Sequence, residues 1–241
     1  FPILTAMNVN NVHVEDIVLD GNREQNENIN GNYAGGVFIQ YCDSWTFKNV
    51  VSRNYNGDGY SWQVCDDIHF INCSSINNAD LGFHPGSGSQ RPLLTNCVSR
   101  GNSQGVFFCW GVSDGIVENC VLSDNTKYGI SIGHRDTDNR IQNSVIERNG
   151  EVGILFRDEG DTEFNAGHRN VIEGCTIRDN RGPGIDVRWI TRDIVIRKNT
   201  FVNTDDVVQK PALRIGEKSG PHLIEDNAYV NTPVEIEDLR K

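Results

Sequence analysis

Residues 105–132 read GVFFCWGVSDGIVENCVLSDNTKYGISI, and this stretch contains one complete unit of a repeat that runs through the chain. Each unit begins with a small residue, followed by an apolar residue, a variable residue and a second apolar residue. The copies start at Gly36, Gly59, Gly82, Gly105, Gly129, Gly153, Gly184 and Ala212, at intervals of 23, 23, 23, 24, 24, 31 and 28 residues. A unit of this length cannot bury its own apolar face, so neighbouring units must stack into a continuous core. The sequence therefore predicts a solenoid.

The hydrophobic period within each unit indicates which kind of solenoid forms. Positions one and three after the small residue are apolar in nearly every copy, and a period of two is typical of a β-strand. A second such stretch follows, as in Ile116-Val-Glu-Asn119, and a third, as in Cys120-Val-Leu-Ser123, precedes the next glycine. With no room for an amphipathic helix, this pattern predicts an all-β fold, a right-handed parallel β-helix solenoid with three short strands per rung.

Two ladders of small or polar residues are expected inside the stack. One ladder contains Cys73, Cys97, Cys120, Ser144 and Cys175, and the other contains Asn78, Asn102, Asn125, Asn149 and Asn180. The asparagines fall in the turn before each small residue, where Asn tolerates a left-handed backbone and can bond its stacked copy. We expect both ladders to be structural.

This organisation resembles the pectate-lyase-like right-handed β-helix superfamily of carbohydrate-active enzymes. The superfamily contains polysaccharide lyases, mannuronan C5-epimerases, glycoside hydrolases and phage tailspikes. The resemblance rests on the repeat and extends from about Val12 to Thr232. It implies a polysaccharide or oligosaccharide substrate and a secreted, periplasmic or cell-surface location, which the sequence by itself does not determine.

Length and charge bound the domain organisation and the partners. The 241 residues fit one β-helix domain, residues 1–241, which starts in mid-pattern without an N-terminal cap. We therefore expect a fragment of a longer chain, whose other domains would be partners. No run of 18 apolar residues is present, so no membrane span is expected. A formal net charge of −11 disfavours nucleic-acid binding and repels acidic polysaccharides unless positive charge is concentrated locally.

The outward positions of the first strand predict a sugar-binding groove between the rungs of Gly59 and Ala212. Stacking places aromatic, His, Arg and Asp side chains along one face, which offers flat apolar surfaces for sugar rings and forked donors for carboxylates. The expected substrate-binding residues are Gln63, Phe107, Trp110, Arg135, Arg188, Trp189 and Arg214.

A uronate-directed lyase or C5-epimerase is the favoured activity. Abstraction of the proton next to a uronate carboxylate needs a base of near-neutral pKa and a cation on the carboxylate. His84 or His134 would be the proton acceptor, and Arg135, Arg157 and Arg188 would bind the carboxylate. The segment from Leu81 to Gly86 is similar to the Tyr-Gly-x-Asp-Pro-His stretch of mannuronan epimerases. Leu81 replaces the tyrosine, His84 takes the aspartate position and Gly86 takes the histidine position.

Two alternative functions stay open. A glycoside hydrolase would use Asp158 and Asp186 as its paired carboxylates, although standard strand spacings place them about 11 Å apart, slightly beyond the usual range. A non-catalytic carbohydrate-binding or tailspike-like module would need no shifted pKa. The two aspartates could also form a purely structural salt-bridge ladder with Arg157 and Arg188. The candidate catalytic residues are His84, His134, Arg157, Asp158 and Asp186.

The long insertion between Gly153 and Gly184 contains a cluster of carboxylates. Oxygen-rich loops of this kind bind calcium in some proteins, so calcium is an optional cofactor, although none is required by the proposed chemistry. Cysteine and histidine spacings typical of zinc sites are absent, and no other metal is predicted. The carboxylates concerned are Asp158, Glu159, Asp161 and Glu163.

Overall fold

The computed structural model describes residues 2–27, 31–160 and 163–241, and in these ranges the chain winds into stacked coils of short parallel strands. The strands of the described ranges align into three parallel sheets that run along the stack, and no α-helix occurs among them. The predicted all-β parallel β-helix with three strands per rung is confirmed. No helix in the described residues is long and apolar enough to cross a membrane.

The strands are numbered β1 to β28 in chain order. Sheet A contains β1 (Leu4–Met7), β4 (Val37–Gln40), β7 (Tyr60–Gln63), β10 (Leu81–Gly86), β13 (Gln104–Phe107), β16 (Tyr128–Ile132), β19 (Ile154–Phe156), β22 (Ile185–Val187), β25 (Leu213–Ile215) and β28 (Ile236–Asp238). Sheet B contains β2 (His13–Glu15), β5 (Trp45–Lys48), β8 (Ile68–Ile71), β11 (Leu93–Thr95), β14 (Ile116–Glu118), β17 (Arg140–Gln142), β20 (Val171–Glu173), β23 (Val195–Arg197) and β26 (Leu223–Glu225). Sheet C contains β3 (Val18–Asp20), β6 (Val51–Arg53), β9 (Ser74–Ile76), β12 (Val98–Arg100), β15 (Val121–Ser123), β18 (Val145–Glu147), β21 (Thr176–Arg178), β24 (Thr200–Val202) and β27 (Ala228–Val230). Short 3₁₀-helices lie at Arg23–Gln25, Asn32–Ala34 and Glu163–Asn165.

The interior of the stack is filled by the inward-facing apolar residues of all three sheets. Aromatic rings from successive coils lie over one another, with Phe47 on Phe70 at 4.8 Å between ring centroids and Tyr60 on Phe83 at 4.9 Å. Each of these rings is fully or almost fully buried. Burying one such ring stabilises the fold by about 1.5–3 kcal/mol, so the core accounts for the repeat seen in the sequence.

The outward-facing residues of sheet A form one continuous row, as predicted. Successive strands pair in register, and the row reads Phe38, Ser61, His84, Phe107, Ser131, Leu155, Asp186 and Arg214. Much of this row is buried although it faces away from the core, because longer neighbouring side chains cover it. Gln63 Nε2 donates to Ser61 Oγ at 3.0 Å, and Arg157 Nη1 donates to Ser131 Oγ at 2.8 Å.

The asparagine ladder forms as predicted, but its backbone conformation differs from the expectation. The backbone N–H of Asn102 donates to Asn125 Oδ1 at 3.1 Å, and Asn125 Nδ2 donates to Asn149 Oδ1 at 2.9 Å. The left-handed backbone lies one residue earlier, at Asn77 (φ 54°) and Asp124 (φ 55°). The preceding residue makes the corner of the coil, because the ladder residue must turn its side chain inward to reach its stacked copy.

Replacing Asn125 with alanine should lower the free energy of unfolding by about 2–4 kcal/mol. The buried backbone N–H of Asn102 then has no acceptor, and Asn149 loses one of its donors; an unsatisfied buried group costs about 1–3 kcal/mol. Chemical denaturation measures the change. The control is Thr126→Ala, an exposed neighbour in the same turn, which should change stability by less than about 0.5 kcal/mol. Equal effects of the two variants would contradict a structural role for the ladder.

Candidate active site

The predicted site residues fall into two groups on the outward face of sheet A. The first group, here called the central cluster, contains Asp58, His84, Phe107, Trp110, His134, Arg135, Asp136, Arg157 and Glu159. The second group, here called the C-terminal pocket, contains Asp158, Asp186, Arg188, Trp189, Arg214 and Lys218. Gln63 lies beside the central cluster, but both ends of its amide are already bonded, to Ser61 and Ser87.

His84 in β10 is held by a buried carboxylate from the preceding coil. Its Nδ1 lies 2.8 Å from Asp58 Oδ2, and the backbone N–H of Leu81 donates to Asp58 Oδ1 at 3.1 Å. The side chain of His84 is 8% exposed and that of Asp58 is fully buried. His84 Nε2 is also buried and has no hydrogen-bond partner among the described residues. The imidazole is therefore firmly oriented, yet its second nitrogen is covered.

Arg157, which follows β19, directs its guanidinium into the protein. Nη1 donates to Ser131 Oγ, and Nη2 donates to the carbonyl oxygen of Phe108 at 3.0 Å, while Nε bonds Glu159. The guanidinium carbon also lies 4.3 Å from the centre of the Phe107 ring. These contacts use most of the donors that the sequence-based interpretation assigned to a uronate carboxylate.

Asp136 is the buried counter-charge of Arg157. Its Oδ1 accepts the backbone N–H groups of Gly111 and Val112 at 3.0 Å each, and its Oδ2 accepts that of Gly133 at 2.9 Å. Arg157 Nη2 lies 3.5 Å from Oδ2. Burial raises the pKa of Asp136 to about 6 against the opposing influence of Arg157 and the backbone donors. At neutral pH the carboxylate is therefore ionised, and it depends on Arg157.

His134, in the turn after β16, is oriented by Glu159. Its Nδ1 lies 3.1 Å from Glu159 Oε2. Burial acts to raise the pKa of Glu159, but hydrogen bonds and charge from Arg157 and His134 outweigh it and lower the pKa below its usual value. Because an ionised carboxylate only accepts, Nδ1 carries the hydrogen, and the lone pair of the neutral ring is on Nε2. The ring stacks on Trp110 at 4.8 Å, and Trp110 is 56% exposed.

Arg135 has no carboxylate partner among the side chains that the structure describes. It makes no ion pair within the described residues, and its Nε is buried without a hydrogen-bond partner. Its guanidinium lies 4.6 Å from the centre of the Phe164 ring. Arg135 and Trp110 line a surface cavity of about 500 Å³, together with Ser87 and Gly88. A guanidinium that pairs with no described carboxylate, in a chain of net charge −11, is a favourable position for an anionic ligand.

The C-terminal pocket is a cavity of about 340 Å³ at the ends of β22 and β25. Arg188 Nε donates to Asp186 Oδ2 at 2.8 Å, and Arg214 Nε donates to Glu237 Oε2 at 2.6 Å. The contact between Arg188 and Asp186 is one ion pair of the structural salt-bridge ladder that the sequence left open as an alternative. Asp158 is exposed and lines the same cavity as Asp186. The two carboxylates of the hydrolase alternative therefore share a pocket, but one of them is already in an ion pair.

His222 fixes the loop that borders this pocket. The backbone N–H of Ile194 donates to His222 Nδ1 at 3.3 Å, so Nε2 carries the hydrogen and donates to Ser219 Oγ at 2.9 Å. Ser219 in turn donates to the carbonyl oxygen of Thr191 at 2.9 Å. Burial, assisted by Arg240, lowers the pKa of His222 to about 4. The ring of His222 is therefore uncharged in the folded protein at neutral pH.

Acid should weaken the fold through His222. Between about pH 6.5 and pH 4 the unfolded chain binds a proton that the folded protein does not, so stability falls with pH by up to about 3 kcal/mol. Replacing His222 with asparagine should remove this loss, and the difference in Tm between wild type and variant should become smaller from pH 7 to pH 4. His13→Asn, at an exposed site, should leave the slope of wild type unchanged. A parallel pH dependence of wild type and His222→Asn would contradict the assignment.

The calcium prediction is not settled by the structure. Among residues 2–27, 31–160 and 163–241, no group of three or more His, Cys, Asp or Glu side chains could hold a metal ion. Asp161 lies outside the described residues, and the side chain of Glu163 is not described. Glu159 is bonded to Arg157 and His134, and Asp158 accepts the backbone N–H of Gly160 at 3.3 Å.

Short parallel strands that wind into stacked coils and align into three sheets define the class of parallel β-helix proteins. Residues 35–166, more than half of the chain, match the family model described as right handed beta helix region, and the chain belongs to this family. The resemblance inferred from the repeat is thereby confirmed at the level of the fold. No curated protein matches the sequence.

Solved structures similar to this chain include enzymes and an adhesin. The A-module of the mannuronan C-5 epimerase AlgE4 from Azotobacter vinelandii has a TM-score of 0.70 at 18% identity, covering 95% of this chain and 72% of the module. An alginate lyase from Paenibacillus sp. has a TM-score of 0.60 at 16% identity, covering 90% and 76% of the two chains. The surface protein and adhesin PfbA from Streptococcus pneumoniae has a TM-score of 0.61 at 12% identity, covering 85% and 69%. At these identities the similarity shows the fold alone.

Proposed function

We propose that the protein is a polysaccharide lyase or C5-epimerase that acts on a uronate-containing glycan. The observation that carries this proposal is that Arg135 and Trp110 line one cavity and that His134 stacks on Trp110. Arg135 makes no ion pair with a described residue, His134 has its Nδ1 on a carboxylate, and Trp110 is exposed. Proton abstraction next to a carboxylate needs a cation, an oriented base and a platform for the sugar ring, and these residues supply them.

The proposed reaction begins with the uronate carboxylate paired to Arg135. Neutralising the carboxylate stabilises the negative charge that develops when C5 loses its proton. His134 Nε2 takes that proton. Glu159 accepts a hydrogen bond from the N–H group at Nδ1 and thereby stabilises the resulting imidazolium. In a lyase the electron pair of the C–H bond forms a C4–C5 double bond, the bond from C4 to the glycosidic oxygen breaks with its electron pair on the oxygen, and water protonates that oxygen. In an epimerase water donates a proton to C5 from the opposite face. In both cases the imidazolium of His134 returns its proton to the solvent.

Arg157 has a positioning role in this proposal instead of the carboxylate-binding role expected from the sequence. Its guanidinium holds Glu159, and Glu159 holds His134. His84 is the second candidate for the base; the cover over its Nε2 favours His134. Arg188 belongs to the C-terminal pocket, two coils beyond the strand that precedes His134.

The structural neighbours support this class of substrate. One is described as a mannuronan epimerase and another as an alginate lyase, and these names concern glycans made of uronates. A location outside the cytoplasm belongs to the same proposal, and one neighbour is described as a surface protein. No nucleic-acid partner is proposed, since the chain carries a net charge of −11.

A panel of polyuronates and mixed polysaccharides tests the proposal. Ultraviolet absorbance of an unsaturated uronate identifies a lyase, and a changed C5 configuration in the proton NMR spectrum without chain cleavage identifies an epimerase. New reducing ends without that absorbance would overturn the proposal in favour of a hydrolase with Asp158 and Asp186. Binding without any reaction across the panel would overturn it in favour of a carbohydrate-binding module.

The carbohydrate-binding module is the second candidate function. The segment from Leu81 to Gly86 has leucine, histidine and glycine at the tyrosine, aspartate and histidine positions of the mannuronan epimerase stretch. The adhesin also matches this fold about as well as the lyase does. This candidate predicts that a glycan binds in the groove and is not turned over.

A further inference from the structure

We propose that the C-terminal pocket is a second saccharide subsite that recognises the hydroxyl groups of a neutral sugar, so that the substrate is a heteropolysaccharide of uronate and neutral units. The part of this inference that joins the two sites on one glycan rests on the proposed function. The existence of the subsite rests on the pocket alone.

Two buried polar atoms in the pocket residues lack partners among the described groups. They are Asp186 Oδ1, on a side chain that is 1% exposed, and the indole Nε1 of Trp189. Both residues line the cavity. A buried polar atom without a partner costs about 1–3 kcal/mol, and native structures contain few of them. Both atoms are covered in the structure, so a ligand reaches them only when the side chains that cover them move, and bonding both would then remove this cost.

The chemistry of the two atoms selects a hydroxyl. An ionised carboxylate only accepts hydrogen bonds, whereas an indole N–H only donates. A sugar hydroxyl does both, so hydroxyl groups of one ring suit Asp186 and Trp189 together. A uronate carboxylate would be repelled by Asp186, and an ammonium group has no lone pair for Trp189.

The charges of the pocket also disfavour a carboxylate ligand. Arg188 is paired with Asp186, and Arg214 is paired with Glu237. The ammonium of Lys218 lies 3.8 Å from the centre of the Trp189 ring, which satisfies it in part through a cation–π interaction. The carboxylates of Asp158, Asp186 and Glu217 line the same cavity, whereas the described lining of the cavity beside Arg135 contains no carboxylate. The pocket is therefore suited to a neutral unit.

The spacing of the two sites allows one glycan to occupy both. His134 follows β16 and Asp186 lies on β22, with only β19 between these strands in sheet A. Two steps of the stack correspond to about 10 Å. A short oligosaccharide along the groove can thus present a uronate to Arg135 and a neutral sugar to Trp189.

Indole N–H signals provide a direct test. The chain has four tryptophans, and the signal lost in Trp189→Phe identifies Trp189. Neutral cello-, manno-, xylo- and galacto-oligosaccharides serve as probes. We expect at least one of them to move the Trp189 signal in the wild-type protein, and Trp189→Phe to weaken its binding by about 5- to 30-fold through loss of one buried hydrogen bond. Asp186→Asn should weaken the same binding.

The outcomes separate this inference from the proposed function. Failure of every neutral probe to move the Trp189 signal, or unchanged affinity in Trp189→Phe, would overturn the subsite even if polyuronates are turned over. Neutral binding that depends on Trp189, without turnover of any glycan, would retain the subsite and reject the enzymatic proposal. If a uronate homopolymer is turned over as fast as mixed glycans that contain the bound neutral sugar, the proposal of a heteropolysaccharide substrate is overturned.

Discussion

Replacing His134 with glutamine should lower turnover of the active glycan by about 10²- to 10⁴-fold, the usual contribution of a positioned general base. Glutamine keeps a hydrogen-bonding side chain of similar length beside Glu159, but it cannot accept the C5 proton. Turnover is measured by the absorbance of the unsaturated product or by the rate of C5 inversion. Circular dichroism and thermal unfolding should remain close to those of wild type.

A matched histidine elsewhere on the solenoid controls for this substitution. His69 lies on β8 in sheet B, outside the groove, and His69→Gln should change turnover by less than about twofold, as expected for a substitution away from the reacting groups. His84→Gln separates the two candidate bases. Full activity of His134→Gln together with loss of activity in His84→Gln would reassign the base to His84 and its partner Asp58.

Replacing Arg157 with methionine should lower the free energy of unfolding by about 3–5 kcal/mol at pH 7, the cost of removing one partner of a buried ion pair. Methionine keeps much of the aliphatic volume, so lost packing contributes little. Without Arg157 the pKa of Asp136 rises further, because the guanidinium is the main influence that opposes burial, so the carboxyl group must bind a proton or stay charged without a partner. Ser131 and the Phe108 carbonyl would also lose their donor. The loss should be smaller at pH 5, where Asp136, with a pKa of about 6, binds a proton.

The neighbouring arginine provides the comparison. The side chain of Arg188 is 43% exposed and that of Arg157 is 13% exposed. Arg214 Nη1 also lies 4.0 Å from Asp186 Oδ2 and stays beside this carboxylate, so Arg188→Met should lower stability by less, about 1–2 kcal/mol. Chemical denaturation at both pH values measures the two changes. Wild-type stability of Arg157→Met combined with a large rise in KM would restore the carboxylate-binding role that the sequence suggested.

The fold could be predicted because the sequence pattern that specifies it is periodic. The alternation of apolar residues after each glycine defines the strands, and the interval between glycines defines the coil. Since parallel strands stack in register, the outward row from Phe38 to Arg214 followed from the same numbers. The asparagine ladder was predicted as a hydrogen-bonded stack, but the residue with left-handed backbone was assigned one position too late. The spacing of the apolar residues does not show in which direction a side chain points within a turn.

The site was only partly predictable. The sequence identified His84, His134, Arg135 and Trp110 as outward residues at strands or strand ends, and all four lie in the central cluster. The sequence did not indicate that Asp58 bonds His84 or that Arg157 pairs with Asp136 and Glu159. Those contacts join residues on different coils, and their geometry depends on turn paths and side-chain rotamers that no spacing rule describes.

Sequence alone thus determined the architecture and the row of outward residues on sheet A, since both follow from the strand period and the length of one coil. Tertiary structure decided which charges remain free. Electrostatic pairing depends on distances of a few ångströms between side chains 21 to 26 residues apart. That pairing engages Arg157 within the protein, while Arg135 makes no ion pair with any residue that the structure describes.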